Sequence, residues 1–209
     1  DIEIDDLKKL ITKKTKIIAI THLSNVTGAI IPIQKIVDLA KTKKIPVLVD
    51  GTQSAPHLEI DMQSLGCDFY AISCHKMYGP NGLGVLYIKK KWADILQPYQ
   101  GGGGMIDEVK KDSITYAQSP TKFESGTMQT AEVVAFSESI NFIERIGIKN
   151  ILSHENEIME YGIEKLKSSS KPIIPEINYS DLKNDFLGVK KNVHKRGCVI
   201  IRDVFEDDR

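Results

Sequence analysis

No stretch of this 209-residue chain comes near the roughly 20 consecutive apolar residues that a membrane-spanning helix needs, so no such helix is expected. Charge of one sign is missing too. Lys+Arg and Asp+Glu stand at 28 each, so no bulk field argues for nucleic acid or a membrane as partner. Lysine runs such as Lys89-Lys90-Lys91 read most simply as solvated faces. Three cysteines without paired spacing give no disulfide framework and suit a reducing compartment. The glycines at 101–104 are followed by no Gly-Lys-Ser/Thr, which excludes a P-loop. They read instead as a loop that lets backbone approach a bound group. Residues 171–209 hold no His-x-Asp pair, so no iron site is expected there, nor a metal elsewhere. The sequence opens on Asp1-Ile2-Glu3 without an initiator Met, and reads as a fragment whose start is missing.

Against these absences stands a hydrophobic content of 41%, enough for a real core. The tail of a strand and a short helix are expected over 2–13. A continuous apolar run over 15–23 predicts a strand in a sheet covered on both faces. Apolar residues at helical spacing (Ile33, Ile36, Val37, Leu39, Ala40) predict a helix over 33–43. Strands come next at 45–50, 69–73 and 85–89, with a short helix at 62–65. Two long amphipathic helices are expected over 131–146 and 151–167. This alternation predicts an α/β fold whose mostly parallel sheet presents ligand groups at the carboxyl ends of its strands.

Two strand ends carry the chemistry. The run Asp68-Phe69-Tyr70-Ala71-Ile72 leads into Ser73-Cys74-His75-Lys76 and then Gly79-Pro80. A lysine at the mouth of a buried strand is costly to desolvate as a cation, which favours a neutral, nucleophilic amine. Such an amine can capture an aldehyde cofactor. Upstream, Val47-Leu48-Val49 ends in Asp50. A carboxylate and a lysine at neighbouring strand ends are the pair that pyridoxal phosphate needs, one holding the ring nitrogen's proton and the other the aldehyde. Each residue alone has a plainer use: Asp50 can cap a turn, and Lys76 can be a surface lysine after a strand.

The motifs Val49-Asp50-Gly51-Thr52-Gln53-Ser54-Ala55-Pro56-His57, Asp68-Phe69-Tyr70 and Ser73-Cys74-His75-Lys76-Met77-Tyr78-Gly79-Pro80 resemble those of class V aminotransferase-type enzymes. Within that class the chain is most similar to group II (SufS-like) cysteine desulfurases, near the selenocysteine lyases. His22-Leu23-Ser24-Asn25-Val26-Thr27-Gly28, the glycines at 101–104 and Phe123-Glu124-Ser125-Gly126-Thr127 agree in order and spacing. The resemblance covers about residues 1–165. It implies a partial large domain of the pyridoxal-phosphate-dependent transferase fold (fold type I) over 1–170. The small C-terminal domain would be absent or replaced, leaving 171–209 as an unmatched tail.

The resemblance implies a role for each matching residue. Lys76 would bind pyridoxal 5'-phosphate and act as the catalytic lysine. Asp50 would pair with the ring nitrogen, while Gln53 and Asn25 would approach the phenolic oxygen. Ser73 and His75 would hold the phosphate, joined by Thr127 across a homodimer interface. His57 is as well placed for a solvent-facing loop as for the substrate. Met128 departs from the proline usual after the threonine. The implied reaction turns L-cysteine into L-alanine and an enzyme-bound persulfide, destined for a sulfur acceptor or scaffold protein of iron–sulfur assembly. The compartment is left open between the cytoplasm and an iron–sulfur-assembling organelle. The alternatives are a selenocysteine lyase or another class V enzyme, or a catalytically dead remnant or chimeric gene model.

Cysteines limit that reading. The reaction needs a thiolate, yet Cys67 and Cys74 read as small core residues. Cys198 lacks the Arg-Thr-Gly-x-x-Cys spacing of the family's nucleophile loop. Stretches 173–182 and 195–205 are similar instead to the N-terminal part of an uncharacterised, phytanoyl-dioxygenase-like family, which would make the chain a junction of two pieces.

Overall fold

A computed structural model describes residues 2–168, 176–178, 187–188, 190 and 200–202. The chain divides into two units, Asp1–Leu152 and Ser153–Arg209. The second holds most of helix α6 (Ile148–Ser168) and a parallel strand pair, β7 (Glu176–Asn178) with β8 (Ile200–Arg202). Cys198 and most of 173–182 and 195–205 lie outside the described residues.

The first unit is built on a four-stranded sheet ordered β1 (Ile18–Thr21), β2 (Val47–Asp50), β3 (Phe69–Ser73), β4 (Gly84–Ile88). The first three strands run parallel and β4 is antiparallel to β3. Helix α1 (Ile4–Leu10) precedes the sheet, with Asp5 and Asp6 in its first turn and Lys8 and Lys9 in its last. That order of charge complements the helix dipole. Helix α2 (Ile33–Thr42) crosses over between β1 and β2. Its Ile33, Ile36, Val37 and Ala40 have a three-four spacing and are at most 1% exposed, so they form one stripe against the sheet. They meet Ile18, Val47, Val49 and Tyr70 in a single core cluster. Each fully buried aliphatic there contributes about 1.5–3 kcal/mol.

Strand β1 is shorter than the apolar run predicts. Residues 12–15 close a turn, with the Thr12 N–H donating to Thr15 Oγ1 at 3.0 Å, and pairing begins only where Ile18 meets Val47. Pro46, just before Val47, has no N–H to extend the ladder. Coverage is also one-sided among the described residues. Val47 and Val49 face α2 and are buried, whereas Ala19, Leu86 and Asp50 on the other face are exposed. Short helices α3 (Met62–Leu65) and α4 (Lys90–Ile95) flank β3 and β4. Next comes a hairpin, β5 (Ile106–Lys110) and β6 (Ser113–Tyr116), which the sequence did not announce. Its Lys111-Asp112 turn carries none of the Asn-Gly or Gly signals of a tight hairpin. Helix α5 (Thr130–Ile146) and the first residues of α6 complete the unit.

Candidate active site

The parallel register puts the chemistry at one end of the sheet. Thr21 pairs with Asp50 and Asp50 with Ala71, so β1 and β2 finish level while β3 runs two residues further, to Ser73. A 3-10 turn, Cys74–Met77, succeeds it at once. It carries His75 and Lys76 out past the strand ends.

Lys76 Nζ donates to Gln53 Oε1 at 3.0 Å. Twenty-three residues of sequence separate the two, and the parallel pairing of β2 with β3 brings them together. Asp50 closes β2 and accepts the Thr52 N–H on Oδ1 at 2.9 Å. Its carboxylate is exposed, and its other oxygen accepts no bond among the described residues. Ser73 Oγ and His75 Nδ1 lie 2.8 Å apart, a hydroxyl and an imidazole paired beside the lysine. Desolvation of Lys76 by the strand mouth is not what the structure gives. The lysine is exposed, because β3 ends three residues earlier and the 3-10 turn points it outward.

The lysine turn is fastened from behind. The Gly79 N–H donates to the Cys74 carbonyl at 2.9 Å, and a Cβ at Gly79 would stand 2.6 Å from the Phe136 ring. Only glycine lets α5 press this close. Ser139 Oγ on α5 donates to the Tyr78 carbonyl at 3.0 Å.

The other sequence-predicted residues stand on separate segments of the chain. Asn25 is exposed in the turn after β1, where Ser24 Oγ accepts the Val26 and Thr27 N–H groups. Thr127 is exposed in a loop tied to the glycine-rich segment by the Gly126 N–H donating to Gly103 O at 2.9 Å. His57 is half-buried, its N–H donating to Ser54 O at 3.0 Å. Cys67 and Cys74 are fully buried. Burial pushes both thiols up, against a smaller lowering by Lys89 at Cys67.

Sequence reasoning missed a buried chain of polar groups behind Asp50. Tyr70 Oη sits 2.7 Å from Ser54 Oγ and 3.0 Å from His22 Nδ1. All three residues are at most 9% exposed. Burial pushes the Tyr70 phenol up to about 12 and lowers His22, so both stay neutral near pH 7.

Most of the chain has counterparts among known proteins. The sequence profile of the family described as Aminotransferase class-V matches residues 1–185. The chain belongs to that family. The match continues past residue 170, the boundary read from the sequence. A probable cysteine desulfurase of Halalkalibacterium halodurans is 47% identical over 165 residues, 79% of this chain and 41% of the relative. A cysteine desulfurase of Cronobacter sakazakii is 38% identical over 168 residues, 80% of this chain and 41% of the relative. Among solved structures, the cysteine desulfurase CsdA of Escherichia coli superposes with a TM-score of 0.77 at 35% identity, covering 80% of this chain and 42% of that one. The apo cysteine desulfurase of Thermococcus onnurineus gives 0.75 at 34% identity, again over 80% and 42%. The chain thus spans about 41% of the length of the curated relatives it matches.

Class V aminotransferase-type enzymes imply pyridoxal phosphate, and the donor set fits that group. An exposed amine lies beside a carboxamide, a carboxylate with a spare oxygen closes the neighbouring strand, and a hydroxyl–imidazole pair stands next to the amine.

Proposed function

We propose that this chain carries the cofactor-holding part of a pyridoxal-phosphate-dependent cysteine desulfurase. The observation that carries this reading is the 3.0 Å contact of Lys76 with Gln53, with Asp50 closing the strand paired to the one that delivers the lysine. The cysteine desulfurase relatives support the choice within the family.

When bound, pyridoxal phosphate supplies an electron sink for charge at the substrate Cα. Lys76 would hold its aldehyde and, once freed by the substrate amine, carry the Cα proton. Asp50 would keep the ring nitrogen protonated. Gln53 and Asn25 would approach the phenolic oxygen. Ser73 and His75 would donate to the phosphate, and Thr127 would reach the phosphate of a partner subunit in a homodimer. In the net reaction the Cβ–S bond of L-cysteine breaks. Sulfur passes to an enzyme thiolate as a persulfide, and the bond's electron pair stays on carbon, which takes a proton to become alanine's methyl. Cys67 and Cys74 are unsuited to supply that thiolate, since both are buried and held as thiols. A sulfur-acceptor or scaffold protein of iron–sulfur assembly would then take the persulfide sulfur.

Borohydride reduction of the cofactor-loaded protein, with peptide mapping of the product, tests the assignment. The pyridoxyl group is expected on Lys76. A label on other lysines with none on Lys76 would refute it.

A further inference from the structure

We infer that the Tyr70 hydroxyl is a positioning group for the cofactor site, setting the turn that carries Asp50 and Gln53; this rests on the function proposed above. Asp50 and Gln53 can serve one ring only if the backbone between them is held, and a set of short bonds holds it. The His22 N–H donates to the Asp50 carbonyl at 2.9 Å, and the Gly51 N–H donates to the Ala71 carbonyl at 2.8 Å. The Gly51 carbonyl accepts from the Ala55 N–H at 2.9 Å and from Ser54 Oγ at 3.2 Å. Ser54 Oγ is in turn held at 2.7 Å by Tyr70 Oη, whose other contact is His22 Nδ1 at 3.0 Å.

The turn is therefore clamped from both sides through one phenol. His22 belongs to the β1 end, Ser54 to the turn and Tyr70 to β3. The three groups are sealed from water, His22 at 9%, Ser54 at 0% and Tyr70 at 2% exposure. A buried network of this kind is either fully satisfied or costly. The fit is tight as well as polar. A Cβ at Gly51 would collide with the Tyr70 ring, so the ring sets the floor on which residue 51 rests while the hydroxyl fixes Ser54 further along the turn. With Ser54 donating to the Gly51 carbonyl, its oxygen is left to accept the Tyr70 proton, and the Tyr70 oxygen to accept from His22 Nδ1. The chain of donors then has one sense, ending on the Gly51 carbonyl, whose peptide carries the Thr52 N–H that Asp50 Oδ1 accepts.

Tyr70→Phe keeps the ring and removes only the hydroxyl. Three measurements on the full-length protein test the inference. Amide hydrogen exchange without cofactor should accelerate about tenfold or more over 51–55, while the core amides of β1 and β2 keep their wild-type rates. Affinity for added pyridoxal phosphate should fall about tenfold. The visible band of the bound cofactor should move toward that of an Asp50→Asn variant, a shift that a loss of stability alone would not cause. Ser54→Ala should reproduce these changes, and adding it to Tyr70→Phe should add little. Unchanged exchange at 51–55 would overturn the clamp. Faster exchange with an unaltered band and affinity would make the network scaffolding only and overturn the positioning role. Failure of the wild-type protein to take up the cofactor would sink the proposed function instead. The exchange result, obtained without cofactor, would still judge the clamp.

Discussion

Asp50 is held by its backbone and offered by its side chain. Its carbonyl accepts from the His22 N–H and its Oδ1 accepts from the Thr52 N–H, both at 2.9 Å. Asparagine at this position has the same shape and can still accept from Thr52 through its amide oxygen. What it loses is the charge that would keep a pyridine nitrogen protonated. Asp50→Asn should therefore leave stability within about 0.5 kcal/mol. Turnover of L-cysteine should fall by about 10²-fold or more, and cofactor binding should weaken. Denaturant unfolding and single-turnover kinetics on the full-length protein separate the two effects. A near wild-type rate would show that Asp50 is not the ring partner. The two strand ends were legible in the sequence because one apolar run ends in Asp50 and the other leads within three residues to Lys76. The buried use of Tyr70 was not. A tyrosine inside an apolar strand looks like packing until the partners of its hydroxyl, 16 and 48 residues away, are placed.

Among the elements, β3 depends on the acid at its entrance. Asp68 is 7% exposed. Its Oδ2 accepts the Val47 N–H at 3.0 Å, and its Oδ1 accepts the Trp92 indole N–H at 2.7 Å and meets Lys91 Nζ at 2.7 Å. One carboxylate thus joins β2, β3 and α4. Burial works to raise its pKa, but the bonds from Lys91, Trp92 and Val47 outweigh it and hold the carboxyl below its ordinary 3.8. The stability gained is fully present above that ordinary value and is lost as pH falls through the lowered folded-state value. Asp68→Ala should cost about 1–3 kcal/mol for each buried donor left unpaired. The gap between wild type and variant in urea midpoint should narrow as pH is taken from 7 to below 3.8; a gap unchanged over that range would deny Asp68 its ionised role. The parallel core strands and α2 were legible because a three-four stripe marks a helix and short apolar runs bounded by turn residues suit buried strands. Hairpin β5–β6 was hidden by its charged turn, and β1 was overestimated because an apolar run does not reveal where its partner's N–H groups stop.

The molecule as a whole poses a question of completeness that its surface answers in part. One face of the sheet is covered by α2, while Asp50 and Lys76 are open to solvent. Thr127 stands on an exposed loop joined to the glycine-rich segment by the Gly126–Gly103 bond. Under the proposed function, its hydroxyl would serve the phosphate held by Ser73 and His75 of a second subunit, whose Lys76 holds the aldehyde. Each active site would then be shared between two chains. A Lys76→Ala subunit lacks the lysine but keeps a sound Thr127, and a Thr127→Ala subunit has the reverse defect. Either homodimer has two defective sites. A mixed dimer, however, has one site that takes its lysine from the Thr127→Ala chain and its threonine from the Lys76→Ala chain. Unfolding and refolding the two full-length variants together should form mixed dimers as about half of all dimers, each with one working site. L-Cysteine desulfuration should recover to roughly a quarter of the wild-type rate, since about one site in four is then intact. The variants refolded separately and mixed afterwards supply the control. No recovery in the co-refolded sample, with dimers confirmed by sedimentation, would place Thr127 and Lys76 in the service of the same chain's site.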